Sequence, residues 1–230
     1  MLTPLEWEAL ALSLKVAGTA VAASLIPGIV LAWVLARYEF VGKGLVDGLV
    51  HLPLVLPPVV VGYLLLLSFG RQGVLGQWLA TFGITLPFTW QGAALAGGVM
   101  AFPLLVRAVR LSFEAIDPRL EAAARTLGAT RGRVFLTITL PLALPGLLAG
   151  MTLAFARALS EFGATITFAA NIPGETRTLP LALYSLIQSP GSDAAAARLC
   201  VISIGVAMVS LLASEGLARR TRRRMGGRDV

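Results

Sequence analysis

The chain has one cysteine, Cys200, and one histidine, His51. That scarcity excludes disulfide frameworks, Cys/His metal centres and Cys–His nucleophile pairs. Cys200 opens an apolar run and is expected to be a packed residue. Nothing matches G-x-x-x-x-G-K-[ST], so the chain has no phosphate-cradling loop and no nucleotide hydrolysis by that route. No cofactor or metal site is expected. Charge is scarce too: 13% of residues are charged against 57% hydrophobic, and the mean hydropathy of +0.81 is too high for a domain with a solvated surface. What remains is a membrane protein. One span takes about 20 apolar residues to cross roughly 30 Å of hydrocarbon, so the length suffices for five or six spans and leaves no room for a soluble catalytic domain.

Five blocks meet that criterion: Leu14 to Ala36, Leu49 to Phe69, Gly92 to Phe113, Ile138 to Leu159, and Leu199 to Ala218. Each must satisfy its backbone polar groups internally, and no ten-residue alternation suggests a barrel. The expected class is therefore all-α and polytopic, with about five transmembrane helices in a single domain over residues 1–230. Glu6 and Glu8 stand where a secretory signal would carry Lys or Arg, so the first helix is expected to be retained. Trp78, Leu79 and Phe82 fall at helical spacing and predict a short interfacial helix between Gln72 and Gln91. Gly73, Gly76, Gly83 and Pro87 disfavour a further span there.

Prolines interrupt the first four blocks: Pro27, then Pro53, Pro57 and Pro58, then Pro103, then Pro141 and Pro145. They read either as hinges around a pathway or as the ordinary proline content of membrane helices. Gly146, Gly150, Ala154 and Ala158 form an i, i+4 stripe, repeated by Ala93 to Gly97 and Ala94 to Gly98. Such faces permit close helix approach, expected here within one subunit.

The 19 basic residues are unevenly placed. With the N-terminus outside, 14 are cytoplasmic: Arg37, Lys43, Arg107, Arg110, Arg119, Arg125, Arg131, Arg133 and the six arginines from Arg219 to Arg228. Only Arg71, Arg177 and Arg198 are then outside, and Lys15 and Arg157 lie in or at the ends of spans. This positive-inside asymmetry, with an odd number of spans, places the C-terminus in the cytoplasm. The basic balance thus reports topology and anionic lipid contact, with no nucleic-acid partner expected. Trp7, Trp78 and Trp90 near the outer boundary and Trp33 near the inner one suit an aromatic belt.

Residues 121–141 read EAAARTLGATRGRVFLTITLP. An Arg at the bilayer centre costs about 2.5 to 3.5 kcal/mol on insertion scales, so the six arginines from Arg107 to Arg133 belong in water. Asp117 can cap a helix with Pro118 at its first position, Gly128 can end it in the left-handed conformation, and Thr130 can cap a second helix entering the fourth span. Leu120, Ala123, Ala124 and Leu127 give the first helix an apolar face, as a docking element would have. The cytoplasmic coupling loop is thus expected over 117–135.

This stretch resembles the permease subunits of bacterial ATP-binding-cassette importers. Their motif runs EAA, three residues, G, nine residues, I, one residue, LP; Gly128, Ile138, Leu140 and Pro141 stand at matching spacing, and Ala123 and Ala124 match the two alanines. The family's acidic position, six before Gly128, holds Ala122, and the acid is Glu121. The resemblance implies a coupling helix docking on a separate ATPase subunit, with Glu121, Ala122, Ala123, Ala124, Arg125, Leu127, Gly128, Ala129 and Thr130 as the coupling set. HLPLVLPPVVVGYLLL (51–66) and ALSEFGATITFAANIPGETRTLP (158–180) look like the molybdate permeases, with a similar stretch in sulfate permeases; Ser160 stands where relatives often carry Gly. That resemblance implies a type I importer permease in the bacterial inner membrane, a second copy of this chain, two ATPase subunits, and a periplasmic binding protein delivering molybdate, tungstate or sulfate.

Arg157 and Glu161 share a helix face four residues apart, with Ser160, Gly163, Thr165 and Thr167 nearby. Either Ser160 to Phe168 lines or gates the outer part of an oxyanion pathway, or the pair only pins a helix end. Asn171 to Ser192 is expected to be mostly an outer loop with one short helix around Leu181 to Ile187. An ion-coupled secondary transporter would carry more acids within spans than Glu161, Asp47 and Glu215, and would show an inverted repeat. An intramembrane enzyme lacks a nucleophile–base constellation.

Overall fold

The computed structural model describes residues 3–224, with side chains in the last helix described continuously as far as Ser210. The first helix, α1 (Pro4–Arg37), begins where Thr3 and Glu6 cap each other: the Glu6 amide donates to the Thr3 hydroxyl at 3.3 Å, and the Thr3 amide donates to the Glu6 carboxylate at 2.7 Å. Pro4, the first helical residue, needs no amide hydrogen there. Its apolar length then carries the helix past Pro27 to Arg37.

Helix α2 (Lys43–Val55) and helix α3 (Pro58–Phe69) occupy the second apolar block, which is not the single straight span expected over Leu49 to Phe69. The two helices are bent by 116°. The cause is local. Leu56 precedes Pro57, which forces it into extended backbone, and Pro58 restarts the helix. At 1.5 Å per residue the halves are about 20 and 18 Å long, so neither crosses the hydrocarbon alone.

The expected short helix is present as α4 (Val74–Ala80), with Trp78 and Phe82 exposed and in edge contact at 5.3 Å. Helix α5 (Trp90–Glu114) is the centre of the bundle: 67% of its apolar window is buried, against 28% for α1. Two further short helices, α6 (Pro118–Thr126) and α7 (Arg131–Val134), precede a π-helical turn over Phe135–Thr139 that runs into α8 (Leu140–Leu159). Pro141 explains the wider turn: it lacks an amide hydrogen and its ring crowds the Thr137 carbonyl, so the Leu140 amide bonds back to Phe135 instead. The chain continues through α9 (Gly163–Phe168) and α10 (Leu179–Ile187), the latter where a short helix was expected, to α11 (Asp193–Arg224).

The core forms where α1 and α8 lie against α5, with Leu35, Leu105, Val106, Val109 and Phe113 fully buried. Small residues line the approach: a Cβ on Gly97 would make an ordinary contact 3.5 Å from the Ala158 side chain of α8, and one on Gly98 would stand 3.4 Å from the Ser24 hydroxyl of α1, whereas one on Gly28 of α1 would come within 2.9 Å of Leu105. Adjacent small residues on α5 thus serve two different neighbours, and Gly146 and Gly150 of α8 close onto Ser112 and Ala108 of α5. The small-residue stripes are spent inside the subunit, as expected.

Two expectations change at the last helix. It starts at Asp193, earlier than Leu199, and Cys200 is exposed on its surface instead of packed, because α11 lies at the edge with only 6% of its apolar window buried. Arg228 of the basic C-terminal run lies outside the described residues, as do the side chains of Arg219 to Arg224.

Candidate functional site

The loop joining α5 to α8 has the predicted form. Asp117 accepts the Arg119 amide at 2.9 Å and caps α6, with Pro118 at the first position. Gly128 has φ +87°, in the left-handed region, and the Ala129 amide returns to the Ala124 carbonyl at 3.1 Å. Thr130 then caps α7 by accepting the Arg133 amide at 3.4 Å.

The motif residues divide between two faces. Glu121 points inward: one carboxylate oxygen accepts from Arg37 Nη2 at 2.8 Å and from Thr139 Oγ1 at 2.9 Å. Arg37 also reaches the Ile116 carbonyl at 3.4 Å, and Thr139 is 1% exposed. Glu121 therefore ties α6 to the last turn of α1 and to the π turn before α8. Ala122, Ala123, Leu127, Gly128 and Thr130 are exposed, Arg125 is exposed at the rim of the space between α6 and the end of α1, and Ala124 and Ala129 are half-buried. Leu120 and Leu127, 49% and 89% exposed, stand seven residues apart on one side of α6 and form an exposed apolar knob.

A second polar group lies at the far end of α8. Arg157 and Glu161 pair at 2.5 Å, with the Glu161 side chain 2% exposed and that of Arg157 25%. The other Glu161 oxygen accepts the Ala164 amide at 2.8 Å, placing negative charge at the start of α9. Ser160 is exposed and donates to the Arg157 carbonyl at 3.1 Å. Thr165 is buried, and Thr167 donates to the Gly163 carbonyl at 2.9 Å. Of the residues expected to line a pathway, Ser160 is thus exposed in this conformation, while Gly163 and Thr167 sit on the face of α9 against α3 and Thr165 is buried.

That contact is tight. A Cβ on Gly62 would stand 2.7 Å from the Ala164 carbonyl oxygen, and one on Gly163 would stand 2.8 Å from Pro58 Cβ. Helices α3 and α9 therefore form one packed unit, filled by Val61, Leu65 and Phe168. Beside α2 a cavity of about 650 Å³ opens among Ser24, Pro27, Pro53, Gln91, Gly98 and Phe102, nearly all apolar in lining.

Residues 28–223 match the family described as binding-protein-dependent transport system inner membrane component. The chain belongs to that family. Among its relatives, the molybdenum transport system permease protein ModB of Escherichia coli (strain K12) is 63% identical over 227 residues, covering 98% of this chain and 99% of that protein. The sulfate transport system permease protein CysT of the same strain is 40% identical over 200 residues, covering 87% and 72%. A bacterial ATP-binding-cassette transporter involved in import of alginate has the same fold, with a TM-score of 0.76 at 19% identity over 95% of this chain and 80% of that one. The matched region of this family member contains both polar groups described above.

Sequence reasoning missed Arg37 and Thr139 as partners of Glu121. The three are 84 and 18 positions apart in the chain, so helical spacing could not pair them. The only signal was a lone Arg at the end of the first block and, in the loop, an acid other than the capping Asp117.

Proposed function

We propose that this chain is the membrane-spanning permease subunit of an ATP-driven importer that carries molybdate across the bacterial inner membrane. The observation that carries the reading is the α6 knob: a capped helix with an exposed apolar face, anchored from behind by Glu121 to two spans. A separate ATPase subunit docks on the knob, and its closure moves α1 and α8 together through Arg37 and Thr139. The chain itself supplies no phosphate loop, so the work comes from that partner.

The supporting comparison for the cargo is the 63% identity to a molybdenum permease against 40% to a sulfate permease. Tungstate, a tetrahedral dianion of equal charge, is expected to share the route. The distribution of basic residues puts the N-terminus outside, the α6 loop and C-terminus in the cytoplasm, and the Arg157–Glu161 end of α8 outside. A periplasmic binding protein delivers the oxyanion there, and a second copy of the chain completes the pathway.

The α3–α9 unit is the outer gate. It is bounded by breaks at Leu56–Pro57 and at Ser160–Phe162, so it moves as a body against Ala96 and Met100 of α5 while α5 and α8 stay packed on each other. Glu161 and Arg157 hold its α9 end closed. An ion-coupled transporter, the reading from a different class, would carry unpaired acids within its spans, whereas Glu161 is buried and paired with Arg157.

The test is reconstitution in vesicles. Chain purified with its ATPase, and supplied with its binding protein outside, takes up labelled molybdate against excess sulfate only when ATP is inside with the ATPase. Uptake by the chain alone, or copurification unaffected by loss of the α6 knob, sinks the proposal.

A further inference from the structure

Behind the coupling helix lies a second cavity, of about 250 Å³, between the end of α1, α6 and the start of α8. Its charged lining is Arg37, Arg125 and Arg131 against the single acid Glu121, and Trp33, Tyr38 and Phe135 form its aromatic wall. Glu121 is already taken by Arg37 and Thr139. Among the described residues no ion pair engages Arg125 or Arg131, and Arg37 Nε is buried without a hydrogen-bond partner. The site therefore has an excess of guanidinium donors converging on a space too small for a folded segment. Planar guanidinium groups match phosphate oxygens with paired hydrogen bonds.

The helix beside it says where the phosphate comes from. Ile26, Val30, Trp33 and Arg37 follow one another at steps of four, three and four, so they share one face of α1. Ile26 and Val30 are 73% and 55% exposed, while Leu35, on the opposite face, is fully buried. From Ile26 to Arg37 the helix rises about 16 Å, close to the hydrocarbon depth of one leaflet. An apolar stripe of that length ending at an aromatic and arginine-lined cavity has the form of a lipid: chains along the stripe, head in the cavity. Trp33 stands 5.3 Å from Tyr38 and 5.4 Å from Phe135, a packed aromatic group suited to headgroup depth.

We propose that this cavity binds the phosphate of an anionic glycerophospholipid of the leaflet that faces the coupling loop. The bound phosphate bridges Arg125 of α6 and Arg131 of α7 to Arg37 of α1, so the coupling helix is held to the first span by lipid as well as by Glu121. Basic pockets between spans on this side of a membrane are suited to such headgroups, because the surface is already negative. The site does not depend on what the protein carries.

The test uses the chain with its copurifying ATPase in nanodiscs of phosphatidylglycerol or of phosphatidylcholine with the same acyl chains. Lipid retained after stepwise delipidation is counted by native mass spectrometry. The expected result is selective retention of phosphatidylglycerol, reduced roughly 10-fold or more in the Arg125→Gln/Arg131→Gln double variant, since each arginine near the surface contributes on the order of 1 kcal/mol. Arg119→Gln/Arg133→Gln removes the same charge from outside the cavity and keeps the lipid. Wild-type protein with no preference for phosphatidylglycerol overturns the proposal, whether or not the variants assemble. So does equal loss in both double variants, which makes the effect diffuse surface charge. Displacement of the lipid by millimolar inorganic phosphate makes it a free-anion site and also overturns it. Retention only after the ATPase is stripped away means that an acidic side chain of that subunit occupies the arginines, with the same consequence.

Discussion

Glu121 looks like an ordinary surface acid in a helical loop until its partners are known. A carboxylate less than a fifth exposed, bonded to a guanidinium and to a buried hydroxyl, is worth about 1 to 2 kcal/mol more than a neutral amide there. Glu121→Gln should leave the α6 knob intact, so the ATPase still copurifies, while molybdate uptake per bound ATPase falls several-fold. Reversing both charges, Arg37→Glu with Glu121→Arg, should recover part of the loss. Unchanged uptake in the single variant would limit Glu121 to local packing. Glu161 is the deeper acid. Removing one partner of a buried pair costs about 3 to 5 kcal/mol, and less here because Arg157 keeps partial access to water. Transport should be lost in Glu161→Gln complexes that assemble normally; if they transport at the wild-type rate, the pair only pins the end of α8.

At the level of elements, the α3–α9 contact depends on the absence of side chains. Gly62→Ala would push a methyl group into the Ala164 carbonyl and Thr167, neither of which is a flexible chain end. Overpacking of this kind costs about 1 to 3 kcal/mol, so the melting temperature in detergent should fall and the outer gate should leak. Gly18→Ala, with nothing within 4 Å, is the matched control and should change neither. The coupling loop makes the opposite use of glycine. At Gly128 there is ample space, but φ is +87°, and an alanine there costs about 1 kcal/mol of backbone strain. Gly128→Ala should therefore weaken ATPase copurification without lowering the melting temperature of the permease in proportion.

For the molecule as a whole, orientation decides whether the knob can meet an ATPase at all. In a Cys200→Ala background, Gly132→Cys in α7 should react with an impermeant maleimide only after the membrane is opened. Ser189→Cys, between α10 and α11, should react in intact spheroplasts. The reverse pattern would put the coupling loop on the side without ATP and end the reading. The ion pair between Arg198 of α11 and the buried Glu6 of α1, at 2.8 Å, closes the bundle at the Ser189 side. It ties the peripheral last helix, otherwise hardly buried, to the capped start of the first.

Much of this was legible in the chain because membranes simplify the problem. A block of 20 apolar residues with no charge has one stable solution in hydrocarbon, so the all-α class and the apolar helices followed from hydropathy alone. The caps at Asp117, Gly128 and Thr130 were equally readable, since each acts within four residues of itself. Three features were decided only by tertiary structure. The second apolar block breaks at Pro57 and Pro58 for local reasons, but the 116° angle between its halves was set by the packing of α3 against α9 and α5. Thr165, expected to offer a hydroxyl to a pathway, is buried in this conformation. Glu121 took Arg37 and Thr139 as partners from other helices, a pairing that local spacing does not encode. Hydropathy and capping act along the chain, whereas the bend, the gate unit and the Glu121 anchor depend on which faces meet across it.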